Sequence, residues 1–287
     1  MWFTDEAVAA WAAEPRTSRG GQPWYSPLAI LTALTLRAVF RLAYRQAEGL
    51  IGSIVGLLGI SLRVPDHTTL SRRAATLDVP RPRNAGADSE PMHLLVDSMG
   101  MKLCGKGEWL LEKHGTATRR SWRTLHLGVD ADTGRIVASM LTLKEVDDAS
   151  QVGPLLDQVA GYVASFTADG AYDQDRVYAA VAKRHPEAAV VAPLRANAVP
   201  SDMAESAPTQ RDGHVQHIAR HGRMKRQSAS GYNTRARVEA TMNRWKQVIG
   251  DELRAHSDER RPTEVAVAVH ALNRMLDFGR PSYVRVA

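Results

Sequence analysis

The chain has 287 residues, 44% hydrophobic and 24% charged, which excludes a disordered polymer and allows one large domain or two smaller ones. Its one cysteine, Cys104, cannot close an intrachain disulfide, and there is no Cys/His zinc pattern, so a reducing cytoplasm is the expected setting. A net charge of +6 points to a polyanionic partner.

The opening MWFTDEAVAAWAAEPRTSRG has acids where an export signal needs basic residues. From Ser26 to about Thr76 the pattern is helical. SPLAILTALTLRAVFRLAYRQ opens with Ser26 as N-cap and Pro27 in the first turn. QAEGLIGSIVGLLGI reads as a second helix; its apolar stretch, 50–62, is glycine-broken and well short of the ~20 residues a membrane span needs. In PDHTTLSRRAATL, Asp66 caps a third helix, and Thr68, Thr69, Ser71, Arg72 and Arg73 give it one polar face. Three such helices suit a small helix-turn-helix-like DNA-binding domain over 1–79, although a plain three-helix bundle produces the same pattern.

Residues 80–91, PRPRNAGADSEP, read as a linker. Beyond it, HLLVD is the apolar run of a central strand, ended by Asp97. RTLHLGVD and RIVASMLTL, joined by the turn DADTG, form a β-hairpin over 123–143. DASQVGPLLDQVA is helical, with Asp148 or Ser150 as cap. A strand closing on TADG, the helix QDRVYAAVAKRH and the strand AAVVAPL follow. The order β, β, β, α, β, α, β predicts an α/β fold with a mixed sheet. Residues 195–231 are polar and lack clear periodicity. A helix from about Thr234 to Ile249 and a last apolar one, TEVAVAVHALNRMLDF, complete the chain. The basic surplus lies in its second two thirds: 211–261 hold 12 Lys/Arg against 6 Asp/Glu.

Three carboxylates stand apart from this scaffold. Asp97 and Asp169 each end a strand, and neighbouring parallel strands would bring them to one carboxyl edge, where open α/β sheets place ligands. Two desolvated anions there repel each other unless a divalent cation lies between them. The third is Glu239. At helical spacing Tyr232, Arg235, Glu239 and Lys246 share an arc of roughly 60°, beside an apolar stripe of Val238, Met242, Trp245 and Ile249. Glu239 therefore borders the buried face. Each aspartate alone also suits a turn, and the helix row alone suits a solvated face.

These residues resemble a known family: bacterial insertion-sequence transposases of the DDE class, closest to the insertion-sequence-five family. YSPLAILTALTLRAVFRLAYRQAEGL with VPDHTTLSRR, HLLVDSMG, SFTADGAYD and the Tyr-Arg-Glu-Lys spacing of 232, 235, 239 and 246 carry the likeness. The resemblance implies an RNase H-like catalytic domain over 92–287, with Asp97, Asp169 and Glu239 as the catalytic, metal-binding triad. It implies Mg2+, with Mn2+ able to substitute, and DNA contacts from Tyr232, Arg235 and Lys246. The implied reaction is nicking at the element's ends, then attack of the freed 3′-hydroxyl on target DNA by a homodimer or larger assembly. A catalytically silent DNA-binding regulator and a nuclease without strand transfer share these features.

Other constellations are weaker. His214, His217 and His221 can share a helix face, but nothing completes a zinc site. Asp130 and Asp132 belong to the hairpin turn, and Glu145, Asp147 and Asp148 cluster before a helix. GKGEW around Gly105 and Gly107 is too short for a nucleotide loop. Trp109 and Trp122 suit core packing more than base stacking.

Overall fold

A computed structural model describes residues 4–17, 19–82, 91–103 and 122–279. The chain forms two compact units, a helical one holding residues 1–81 with 246–278 and a sheet-bearing one holding 82–102 with 121–245. The sequence reading had put every residue beyond 92 in the second.

In the helical unit, α1 (Asp5–Ala9) precedes α2 (Pro27–Val39). Ser26 caps α2, its Oγ accepting from the Ala29 amide at 3.1 Å, and Pro27 stands at the first position, where its missing N–H costs nothing. The chain bends by 110° into α3 (Tyr44–Leu57). The bend passes through Arg41, whose φ of 53° is left-handed. Next comes α4 (His67–Arg73), capped as expected by Asp66. Ile30, Leu34, Ile51, Val55 and Leu70 meet in one buried cluster, joined by Val267 from the C-terminal helix Arg261–Asp277. Burying each such side chain contributes roughly 1.5–3 kcal/mol, so the last helix is part of this core. Among the described residues no single helix is long and apolar enough to cross a membrane.

The second unit is a mixed α/β layer structure, the helix-flanked sheet implied by the RNase H-like resemblance. β1 (Met92–Leu103), β2 (Trp122–Asp130) and β3 (Ile136–Leu143) are antiparallel, with the hairpin turn where DADTG predicted it. β4 (Val163–Thr167) runs parallel to β1 on its other side, and β5 (Ala189–Val191) parallel to β4, giving the order β3-β2-β1-β4-β5. Side chains alternate along β1. Leu94 and Val96 enter the cluster built with α5 (Val152–Leu156) and α6 (Asp175–Arg184), while Leu95, Asp97 and Met99 point to the opposite face.

Three local expectations need correction. Asp97 does not end its strand: β1 continues six residues further because it pairs with β2 through Lys102. Asp147 takes the cap position expected of Asp148 or Ser150, its side chain accepting from the Ser150 amide at the start of a 3-10 turn, Asp148–Gln151. Residues 195–231 are not irregular throughout, since they contain α7 (Gln210–His221) and α8 (Arg223–Ala229). Only Val215 and Ile218, both half-buried, give α7 an apolar side. Its start is made by a reciprocal box in which the Thr209 hydroxyl accepts from the Asp212 amide, while the buried Asp212 carboxylate accepts from the Thr209 amide and from Ser201.

Candidate active site

Parallel pairing sets the first half of the site. Leu95 of β1 lies opposite Thr167 of β4, so two residues further on Asp97 and Asp169 come level on the same side of the sheet. Asp97 is 9% exposed and its Oδ1 accepts from the Ser98 amide at 2.9 Å. Asp169 begins the turn Gly170–Tyr172, its Oδ1 accepting from the Ala171 amide at 2.8 Å. The turn reading of Asp169 is therefore correct for one oxygen, and the other is free to face the site.

The second half comes from α9 (Ala236–Val248) and the 3-10 turn Tyr232–Arg235 that leads into it. Helical spacing puts Tyr232, Arg235, Glu239 and Lys246 on one arc, with the helix expected from about Thr234. The tighter turn instead begins at Gly231, whose φ of 70° reverses the chain. Val238, Met242 and Trp245 are buried, as the apolar stripe required. Arg237 and Arg244 donate to the Ala131 and Gly134 carbonyls of the β2–β3 turn, fixing α9 beside the hairpin.

These elements bring all three carboxylates to one guanidinium. Arg235 Nη2 donates to Asp97 Oδ2 at 2.7 Å and stands 4.0 Å from Asp169 Oδ2, and its Nη1 donates to Glu239 Oε1 at 2.5 Å. Burial pushes the Asp97 carboxyl above its ordinary range; the Ser98 amide and Arg235 oppose that, while Asp169 and Glu239 add to it. Arg235 is held above its own ordinary value because the surrounding carboxylates and Tyr232 outweigh its burial. Burial likewise raises the Tyr232 hydroxyl.

Chemically the donor set fits a hard divalent cation: three carboxylates, that of Asp97 buried, gathered around one cationic group. Among the described residues no three acidic or histidine side chains are already close enough to share a metal ion, so the cluster is arranged around Arg235.

A second layer escaped the sequence reading. Ser98 Oγ donates to Asp148 Oδ2 at 2.9 Å, and Asp148 Oδ1 lies 3.6 Å from Nδ1 of the fully buried His126, which faces Ser98 across β1 and β2. Ser98 thus ties Asp97 to Asp148. No local pattern marked it: alternation sets His126 on the face opposite Leu125, Leu127 and Val129, and it is buried because β2 is covered on both faces. Beside this layer a cleft of about 650 Å³ is lined by Trp122, Arg123, Lys144, Asp148 and Arg195 among others.

Of the expected groove residues, Thr68 and Thr69 direct their hydroxyls to the Asp66 carboxylate, Ser71 Oγ accepts from Arg260 at 3.0 Å, and Arg73 donates to the Tyr25 carbonyl at 3.4 Å. Lys246 is exposed on α9. His214 pairs with the Tyr178 hydroxyl at 3.4 Å, and the His217 and His221 rings pack 4.5 Å apart. Cys104, Gly105, Gly107 and Trp109 lie outside the described residues.

Two profiles described as "Transposase DDE domain" match this chain, one over residues 1–106 and the other over 88–274. The chain belongs to the DDE transposase family. It is a DNA transposase, an enzyme that cuts and joins DNA. Among solved structures, it is similar to piggyBac transposase in a synaptic complex with hairpin DNA, at 12% identity and a TM-score of 0.46, covering 96% of this chain and 72% of that one. It is also similar to the Drosophila P element transposase strand transfer complex, at 10% identity and 0.38, covering 96% and 85%.

Proposed function

We propose that Asp97, Asp169 and Glu239 are the metal-binding catalytic carboxylates of this transposase, acting in nicking at an element's ends and in joining the freed 3′-hydroxyl to target DNA. The observation that carries the reading is the convergence of all three acids, from β1, the end of β4 and α9, on one guanidinium. Mg2+ suits an all-oxygen donor set, and Mn2+ can replace it. Divalent ions bound there would activate the attacking oxygen and stabilise the leaving one.

The chain's own groups supply position. Asp97 is held rigidly by its strand and the Ser98 amide, whereas Glu239, on the first turn of α9, is the more exposed and adjustable ligand. Arg235, Tyr232 and Lys246 would hold phosphates of the transposon end, and Arg235 can grip one through both arms of its fork. The α4 face with Thr68, Thr69, Ser71, Arg72 and Arg73 would also meet DNA, Arg72 and Arg73 as phosphate contacts. Action on paired ends by a dimer or larger assembly, and membership of the insertion-sequence-five group, complete the proposal.

The test is cleavage of a labelled duplex carrying the element's terminal sequence, in Mg2+ and then Mn2+. The native protein should nick it at the terminus. Asp97→Asn, Asp169→Asn and Glu239→Gln should each abolish nicking while leaving DNA binding measurable. Undiminished cleavage in any one of the three removes that residue from the triad.

A further inference from the structure

The inference below rests on the assignment of Asp97, Asp169 and Glu239 as metal ligands and concerns how that site is filled. Arg235 holds an oxygen of Asp97 and one of Glu239 in the two arms of its fork, and stands 4.0 Å from an oxygen of Asp169. Those are the oxygens a divalent ion would need. A guanidinium and a divalent ion cannot share them without strong repulsion, because both charges would sit in a partly desolvated site. Competition is therefore built into the geometry.

The position of Arg235 is also suited to release. The residue ends a 3-10 turn that leaves the left-handed Gly231, next to the start of α9. Its Nε is buried without a hydrogen-bond partner, so the side chain is satisfied only through the two arms that grip acids. A phosphodiester, through its two non-bridging oxygens, offers the guanidinium a bidentate acceptor as a carboxylate does.

We infer that Arg235 is a resident counter-cation of the carboxylate cluster, and that the phosphate backbone of bound DNA draws it away so that the cluster takes up divalent metal. Metal loading is then coupled to DNA binding, and by linkage metal strengthens DNA binding in turn.

The experiment is titration of full-length protein with Mn2+ in the absence of DNA, following free Mn2+ by electron paramagnetic resonance, with circular dichroism to establish folding. Arg235→Gln should bind Mn2+ about tenfold more tightly than the native chain, the equivalent of one net charge-assisted hydrogen bond removed from competition. Arg235→Lys keeps the charge but loses the fork, and should fall between the two; it serves alone if the glutamine variant does not fold. Arg220→Gln removes the same charge from an exposed position on α7, away from the acids, and should shift affinity by less than about twofold. Native affinity in a folded Arg235 variant, or an equal gain in Arg220→Gln, overturns the inference. Asp97→Asn separates the two levels: it should lose tight Mn2+ binding, and unchanged binding there would sink the metal-site assignment and the inference with it. Loss of binding in Asp97→Asn with no gain in the Arg235 variants would remove only the inference.

Discussion

Asp173, four residues beyond Asp169, offers a demanding test of how the site is supported. It is 2% exposed; its Oδ1 accepts from Arg211 Nε at 2.8 Å, and its Oδ2 from the Arg195 amide at 2.8 Å and Arg211 Nη2 at 3.4 Å. The carboxylate thereby ties the turn after β4 to α7 and to the segment after β5. Asp173→Asn preserves shape but removes the charge and turns a donor toward donors. Breaking one partner of a buried pair costs ~3–5 kcal/mol. Arg211 retains a weaker neighbour in the exposed Asp175, 3.6 Å away, which puts the expected loss near the low end, about 3 kcal/mol. Urea unfolding followed by circular dichroism should show a lowered midpoint at constant slope. The apolar pair Asp173→Leu with Arg211→Met should recover most of that loss, because the penalty lies in the orphaned charge. A loss below about 1 kcal/mol in Asp173→Asn would show that water solvates the pair, and would refute the argument from burial.

Asp66→Ala removes the acceptor for the Thr68 and Thr69 amides, each at 2.9 Å, and should cost about 1–2 kcal/mol, read as a lower melting temperature of the helical unit. Burial lowers His214 to about 4, so the folded chain binds its proton less readily than the unfolded one. Its contribution is therefore fully present above pH 6.5 and is lost as pH falls from there toward 4. Replacing His214 by Gln should flatten the decline in urea midpoint between pH 7 and 5, and an unchanged slope would contradict the assignment of burial as cause. DNA affinity should fall steeply with salt if the basic residues around α9 neutralise phosphates, and indifference between dilute and moderate salt would argue against that contact.

The positions of the three acids were largely legible in the sequence. TADG marked Asp169 as a strand end, and the spacing of 235, 239, 238, 242 and 245 set Glu239 at the border of a buried stripe. Less legible was whatever depended on a partner strand or loop. HLLVDSMG looks like a strand stopped at Asp97, since the following Ser and Gly resemble a turn; only pairing with β2 carries it on to Leu103. α7 was hidden because its starting box uses Asp212 where the usual signature has Glu or Gln, and because Ser201, eleven residues away, completes it. The role of Asp148 depended on Ser98 and His126, which no local pattern connects to it.

Periodicity and composition by themselves determined most of the element types and the mixed character of the sheet, because backbone alternation and helical pitch act over a few residues and leave their mark in residue order. The parallel register that levels Asp97 with Asp169, the 3-10 turn that aims Arg235, and the inclusion of the last helix in the first core were decided only by tertiary structure. Those features are set by contacts between segments tens to hundreds of residues apart, whose free energy is shared among packed neighbours and appears in no single stretch of chain.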